Sequence, residues 1–156
     1  PLVFPPFLSK KLIELIEKPL WTATGKTAKD TLIPDLISIC KIDRQYQFII
    51  FDAKYYNALL ENGTVPTGQP GIESVTKQYL YQLAYQKFID EHEFSAVKNC
   101  FLLPTENNEI EDKGEVRFNM LANLGLQDIK VRFIPAAMAY DLYLSGRKMD
   151  IEMMNL

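Results

Sequence analysis

The sequence predicts one α/β domain, a mixed central β-sheet flanked by helices. Three observations carry that expectation. The apolar patterns along the chain read helix, strand, strand, long helix, strand, strand, helix. The run Phe48-Ile49-Ile50-Phe51 has no polar interruption, as expected of a strand covered on both faces. The length, 156 residues, is enough for one substantial core and too little for two. A hydrophobic content of 47% and a charged content of 24% are ordinary for a globular chain. No apolar run reaches the roughly 18 residues of a membrane span, so a cytoplasmic protein without membrane contact is expected.

Residues 7–18 read as the first helix, with Leu8, Leu12, Leu15 and Ile16 on one face and Pro19 ending the pattern. Glu14 and Glu17 then point away from that stripe, and Glu14 can pair with Lys18 one turn on. Residues 21–30 form a polar loop holding Thr24-Gly25-Lys26-Thr27. A phosphate-cradling loop would need a glycine five residues before Gly25, where Leu20 stands, and would lead into a helix. That reading is rejected, and Lys26 and Lys29 remain only as weak candidates for phosphate contacts.

Residues 32–41 read as a strand with Pro34 near its start, where a missing backbone donor is tolerated. The short polar link 42–45 and the strand 46–54 make an antiparallel hairpin. The loop 57–71, punctuated by glycines and prolines, is long enough to form a flap. Residues 72–93 form the longest helix, its apolar arc built from Val75, Tyr79, Tyr81, Leu83, Tyr85, Phe88 and Ile89. Gln78 and Gln82 fall in the middle of that arc. Each amide needs a partner there, either a satisfied bond in the core or a polar site. Residues 96–103 are a strand closed by Pro104, 105–114 an acidic surface loop and 115–120 a short accessory strand. Residues 129–134 alternate as a half-exposed strand, and 136–144 form the last helix with Gly146 placed to stop it. The domain is taken as 1–148. The methionine-rich tail, 149–156, is expected to pack on a neighbour, and the chain is read as a fragment of a longer one.

The chemistry suggested by this order gathers at one strand end. Alternation puts Asp52, Lys54 and Tyr56 on one face and Ala53 and Tyr55 on the other. In the hairpin, Asp35 near the start of one arm lies beside Asp52 near the end of its partner. Two acids suit a hard divalent cation such as Mg²⁺, with the Ala53 backbone carbonyl as a third oxygen and waters or substrate oxygens completing the shell. Lys54 can orient or deprotonate an attacking water or meet developing negative charge. On spacing alone, a cross-strand salt bridge explains the same residues equally well. Other chemistries have less support. His92 is the one histidine, too few for serine triads or zinc hydrolases, and it reads as solvated or packed. Cys40 and Cys100 stand apart in apolar runs and read as free buried thiols.

Pro34-Asp35, followed by Asp52-Ala53-Lys54 after Phe-Ile-Ile-Phe, resembles the PD-(D/E)XK nuclease signature. The continuation Lys54-Tyr55-Tyr56, with Lys77-Gln78 and Tyr81-Gln82-Leu83-Ala84-Tyr85 in the next helix, is similar to the nuclease subunits of LlaJI-type and McrC-type restriction systems. This resemblance covers residues 32–85. It implies a restriction-endonuclease-like core and a Mg²⁺-dependent DNA endonuclease, with Mn²⁺ able to substitute. Asp35 and Asp52 carry over as metal ligands and catalytic acids, and Lys54 as the catalytic lysine. Gln78 or Gln82 would be the helical glutamine near the site, and Glu14 or Glu73 a further acid. Tyr56 joins Lys26 and Lys29 as a weak DNA contact. The alternatives are a repair or recombination nuclease of the same fold (a resolvase or exonuclease), or a non-catalytic domain that binds DNA or another subunit.

A net charge of −3 leaves few cations for phosphate contacts. Double-stranded DNA is the expected partner, held with the help of a recognition domain or a nucleotide-hydrolysing motor subunit. A homodimer is a further expectation.

Overall fold

The computed structural model describes residues 12–156 and is a five-stranded mixed sheet flanked by two helices, consistent with a restriction-endonuclease-like core. Before the sheet come a 3₁₀ turn, Leu12–Leu15, and a small hairpin of β1 (Leu20–Trp21) and β2 (Lys26–Thr27). The expected first helix lies partly outside the described residues. Within them it is corrected: regular structure ends at Leu15, and Ile16 turns into the core.

The sheet comprises β3 (Leu36–Ile42), β4 (Gln45–Ala53), β5 (Ala96–Thr105), β6 (Glu111–Val116) and β7 (Ile129–Pro135), in the order β3-β4-β5-β7-β6. The β3–β4 hairpin is antiparallel, turning through Asp43 and Arg44 with φ of 49° and 68°. Two successive left-handed residues match the twist of a tight hairpin. β4, β5 and β7 run parallel, and β6 returns antiparallel along the edge. Between β4 and β5 the chain crosses through α1 (Ile72–Glu91), as a parallel connection requires.

α1 covers one face of the sheet. Phe48 and Ile50 of β4 pack against Tyr81, Tyr85, Phe88 and Ile89. Farther along, Phe101 and Leu103 of β5 and Val131 and Phe133 of β7 pack with Val75 and Tyr79. Leu83, expected in the apolar arc, is instead 38% exposed, because the buried arc runs through Gln78 and Gln82.

The other face carries Ile49, Phe51, Cys100 and Ile134, covered by Met154 and its neighbours. Here two expectations are corrected. β7 is not half-exposed: the Arg132 side chain is 2% exposed. The tail does not wait for a neighbour, because it folds back onto β7 and β5. Arg132 donates to the carbonyls of Met154 and Asn155, each at 2.6 Å, and Lys98 donates to the carbonyl of Leu156. The alternation of polar and apolar residues in β7 was read correctly as two faces. The polar face is simply roofed by residues 149–156.

α2 (Ala136–Ser145) leaves β7 directly and ends at Gly146 in the left-handed region, as expected. None of its residues is buried. The accessory strand begins at Glu111 rather than 115, and residues Asn119–Leu124 form a 3₁₀ turn. The loop before α1 is pinned by a bridge between Leu59 and Thr67. Gly68, at φ 64°, closes it against the Asn57 carbonyl, which would lie 2.3 Å from any added Cβ.

Candidate active site

The site is assembled where β3 begins and β4 ends. The ladder pairs Leu36 with Phe51, so Asp35 arrives beside Asp52 one residue before regular pairing starts. The strand was expected to include Asp35. It starts later because Pro34 has no N–H, and because Asp35 continues the pairing with its side chain. The Asp35 Oδ2 accepts the N–H of Ala53 at 2.9 Å. Asp35 itself is exposed.

Asp52 shares the α1 side of β4 with Phe48 and Ile50, by strand alternation. It is 2% exposed, an unusual position for a carboxylate without compensation. Lys54 provides some. Its Nζ lies 2.5 Å from the Asp52 Oδ2. The two groups form a close ion pair at the strand end. The Lys54 backbone is fixed too, its N–H donating to the Leu102 carbonyl at 2.8 Å and so extending the β4–β5 pairing by one rung.

Burial pushes the Asp52 pKa up from the ordinary carboxylate value. Lys54 opposes that shift, and the neighbouring Asp35 carboxyl adds to it. Two carboxyls this close, one of them buried, are satisfied by a proton or by positive charge. Both are hard oxygen donors, and the residues therefore fit a divalent cation that keeps several waters, as Mg²⁺ does. Among the described residues no group of three or more acids, histidines or cysteines converges. Asp35 and Asp52 are the two carboxyls that meet here. Glu14, exposed on the first 3₁₀ turn, and Glu73, exposed in the first turn of α1, are not gathered with the pair.

α1 supplies the polar surroundings. Gln78 is fully buried, and its Nε2 donates to the Ile50 carbonyl at 3.0 Å, two residues before Asp52. Its Oε1 is buried without a protein partner. Gln82 is a core residue whose Oε1 accepts two bonds, from the Asn99 Nδ2 at 2.8 Å and the Gln127 N–H at 3.0 Å. One glutamine thus touches the acid-bearing strand, and the other ties α1 to β5 and to the loop before β7.

Two residues near the site were missed from the sequence. Tyr81 is buried and donates its hydroxyl to the Ile33 carbonyl at 2.7 Å. Lys77 places its ammonium 5.6 Å from the centroid of the Tyr81 ring. The Tyr81 hydroxyl and, more weakly, Asp52 and Asp35 raise the Lys77 pKa. The signal available was the i, i+4 pairing of Lys77 with Tyr81 beside the two glutamines. Asn99, followed by the apolar run Cys100-Phe101-Leu102-Leu103 in β5, was likewise legible as a residue in need of a buried partner.

The remaining candidates lie apart from this cluster. Lys26 and Lys29 are exposed on and after the β1–β2 hairpin. β4 ends at Ala53, so strand alternation does not fix the direction of Tyr56, which is 43% exposed. His92 is packed: its ring lies 4.2 Å from that of Phe88, and its Nδ1 is 2.8 Å from the Phe88 carbonyl. Cys40 and Cys100 are free thiols, Cys100 fully buried and Cys40 partly so. No helix of the described residues is long and apolar enough to cross a membrane.

Known proteins place this geometry in a family. The component YdjA of the type II restriction enzyme BsuMI from Bacillus subtilis (strain 168) is 35% identical over 121 residues. That alignment covers 76% of this chain but only 24% of the relative, so the chain spans about a quarter of the curated protein it matches. No solved structure matches the chain. The model of the LlaJI restriction endonuclease family matches residues 8–143, a span that takes in the acid pair, Lys54 and the whole of α1. The chain accordingly belongs to the LlaJI restriction endonuclease family.

Proposed function

We propose that this chain is the DNA-cleaving domain of a restriction enzyme, hydrolysing phosphodiester bonds with a divalent cation, Mg²⁺ or in its place Mn²⁺. It would be a PD-(D/E)XK nuclease. One observation carries the reading: the fold brings Asp35, Asp52 and Lys54 together at a single strand end. The family match supports it, because a restriction endonuclease family needs a phosphodiester-cleaving site, and the charged cluster just described is the best candidate among the described residues.

Asp35, Asp52 and the Ala53 carbonyl would hold the cation. Bound there, Mg²⁺ supplies Lewis-acid neutralisation of the phosphate and makes water more acidic. Asp35 is fixed through the Ala53 N–H and presents its remaining oxygen from the exposed side of the site. Asp52 contributes from the buried side, shielded from bulk water. Lys54 orients the attacking water and meets the negative charge that develops on the phosphate oxygens. In the present geometry that ammonium sits on Asp52. The pair is therefore both a salt bridge and the resting form of the site.

The substrate in this reading is double-stranded DNA. The relative from Bacillus subtilis is named as a component of a restriction enzyme, which supports work alongside further domains or subunits for DNA recognition or nucleotide hydrolysis. The chain's net charge of −3 supports the same division of labour, since phosphate affinity must come largely from elsewhere.

The test is plasmid cleavage by the complete protein, with and without its candidate partner subunits, in Mg²⁺, Mn²⁺ or EDTA. Asp52→Asn, Asp35→Asn and Lys54→Met should each lower the cleavage rate by about 100-fold or more while the circular dichroism spectrum is retained. Cleavage that persists in EDTA, or Asp52→Asn and Lys54→Met proteins that cut like the parent, would sink the reading.

A further inference from the structure

We infer that Tyr81 is a positioning residue of the cation site, setting the place of Asp35 through the backbone that carries it. This rests on the nuclease reading for the role of Asp35, and adds how its position is maintained.

The problem is visible in the fold. Asp52 belongs to β4, a central strand paired on both sides, and its backbone has little freedom. Asp35 precedes β3, the edge strand, in a stretch from residue 28 to 35 without regular pairing. The distance between the two carboxyls is therefore set by whatever fixes that stretch. Pro34 removes one donor from it and restricts Ile33 to extended backbone. Those constraints shape the segment without attaching it to anything.

The attachment next to Asp35 comes from α1. The Tyr81 hydroxyl donates to the Ile33 carbonyl at 2.7 Å, two residues before Asp35. Gln78, three residues earlier on the helix, donates to the Ile50 carbonyl, two residues before Asp52. Adjacent turns of one rigid helix thus hold the two acid-bearing segments at equivalent points. Tyr81 is fully buried against Phe48, Ile50 and Tyr85, which fixes its ring. Lys77 lies over the ring from the preceding turn. Ala28 and Thr31 bond farther back, to the carbonyls of Pro19 and Glu17, so the Tyr81 hydroxyl is the anchor nearest Asp35 apart from the Asp35 bond to Ala53, which involves the very carboxylate that must be placed.

The experiment compares Tyr81→Phe with Tyr79→Phe in the complete protein. Tyr79 is a control on the same helix: it is also buried, and its hydroxyl also donates to a carbonyl, that of Val116 at 3.3 Å on the β6 side of the sheet. Both changes delete one oxygen and leave the ring packing in place. Two quantities are read besides cleavage: amide hydrogen exchange of the peptide spanning residues 31–36, and Mn²⁺ affinity by electron paramagnetic resonance in the absence of DNA.

Tyr81→Phe should accelerate exchange across 31–36 and weaken Mn²⁺ binding by about 10-fold or more, the usual effect of losing a group that orients a metal ligand. Tyr79→Phe should change neither. Unaltered exchange in Tyr81→Phe, or equal losses of Mn²⁺ affinity in both variants, would overturn the positioning role while leaving the nuclease reading intact. Failure of the parent protein to bind Mn²⁺ at all would instead overturn the nuclease reading, and the role for Tyr81 with it.

Discussion

At the scale of single residues, the same pair of side chains serves structure and chemistry. Asp52 is buried, and its charge is matched by Lys54 on the same strand end. Asp35 alone could not stabilise it, because a second carboxyl beside a buried one raises its pKa further. The sequence showed these three residues and their spacing. It did not show which of the two acids is buried, since that depends on the helix lying over β4. The thiols give a second test at this scale. Burial pushes the Cys100 pKa up to about 12, so the reactive thiolate is scarce near neutral pH. Cys100 should therefore resist iodoacetamide in the native protein, and Cys40, only partly buried, should be modified first. Mass spectrometry of partly alkylated protein checks the order, and rapid native labelling of Cys100 would contradict its burial.

At the scale of elements, α1 is the part that ties the molecule together. Its apolar arc was readable from periodicity, because Val75, Tyr79, Tyr85, Phe88 and Ile89 recur at helical spacing. The two glutamines within it were readable only as residues needing partners. Their partners come from β4, β5 and the loop at Gln127, strands and loops far apart in sequence. Gln82→Leu should take the acceptor from the Gln127 N–H and from one of the two bonds of the Asn99 amide, which keeps the Gln127 carbonyl, and destabilise the protein by about 1–3 kcal/mol in urea unfolding. Gln86, half-buried on the same helix with its amide donating to the exposed Asp90, gives the comparison: Gln86→Leu should cost less than about 0.5 kcal/mol. Equal costs would mean that the buried network contributes nothing. The loop before α1 has its own sensitive point. Gly68→Ala combines a positive φ with a Cβ at 2.3 Å from a backbone oxygen, and should lower the melting temperature measurably by calorimetry.

At the scale of the whole molecule, residues 149–156 cover the second face of the sheet. Arg132 carries two carbonyls of the tail, an ion pair to Asp112 at 2.6 Å, and almost no exposure. Asp112 is half-exposed, so removing the arginine does not strand a buried charge. The cost is that of the hydrogen bonds lost, about 2–3 kcal/mol for Arg132→Met. The tail itself should loosen, and limited trypsin or chymotrypsin digestion followed by mass spectrometry should release peptides from 149–156 faster than in the parent. A tail that stays protected in Arg132→Met would show that Met154 and its apolar neighbours hold it unaided.

The sequence by itself determined the principal layers of this protein: the strands of the central hairpin and of β5 and β7, the long helix, and that Asp35 and Asp52 meet through a hairpin. Those features are local, set by periodicity, by proline and by a two-residue turn. Only the tertiary structure decided what depends on distant segments meeting. It started β3 after Asp35, since a carboxylate could take over the pairing that Pro34 refused. It roofed the polar face of β7 with the chain's own tail, which no alternation could reveal. It separated Gln78 from Gln82 in role, and it brought Tyr81 to the backbone before Asp35. Each of these is a hydrogen bond between segments remote in sequence, and such bonds leave no periodic trace.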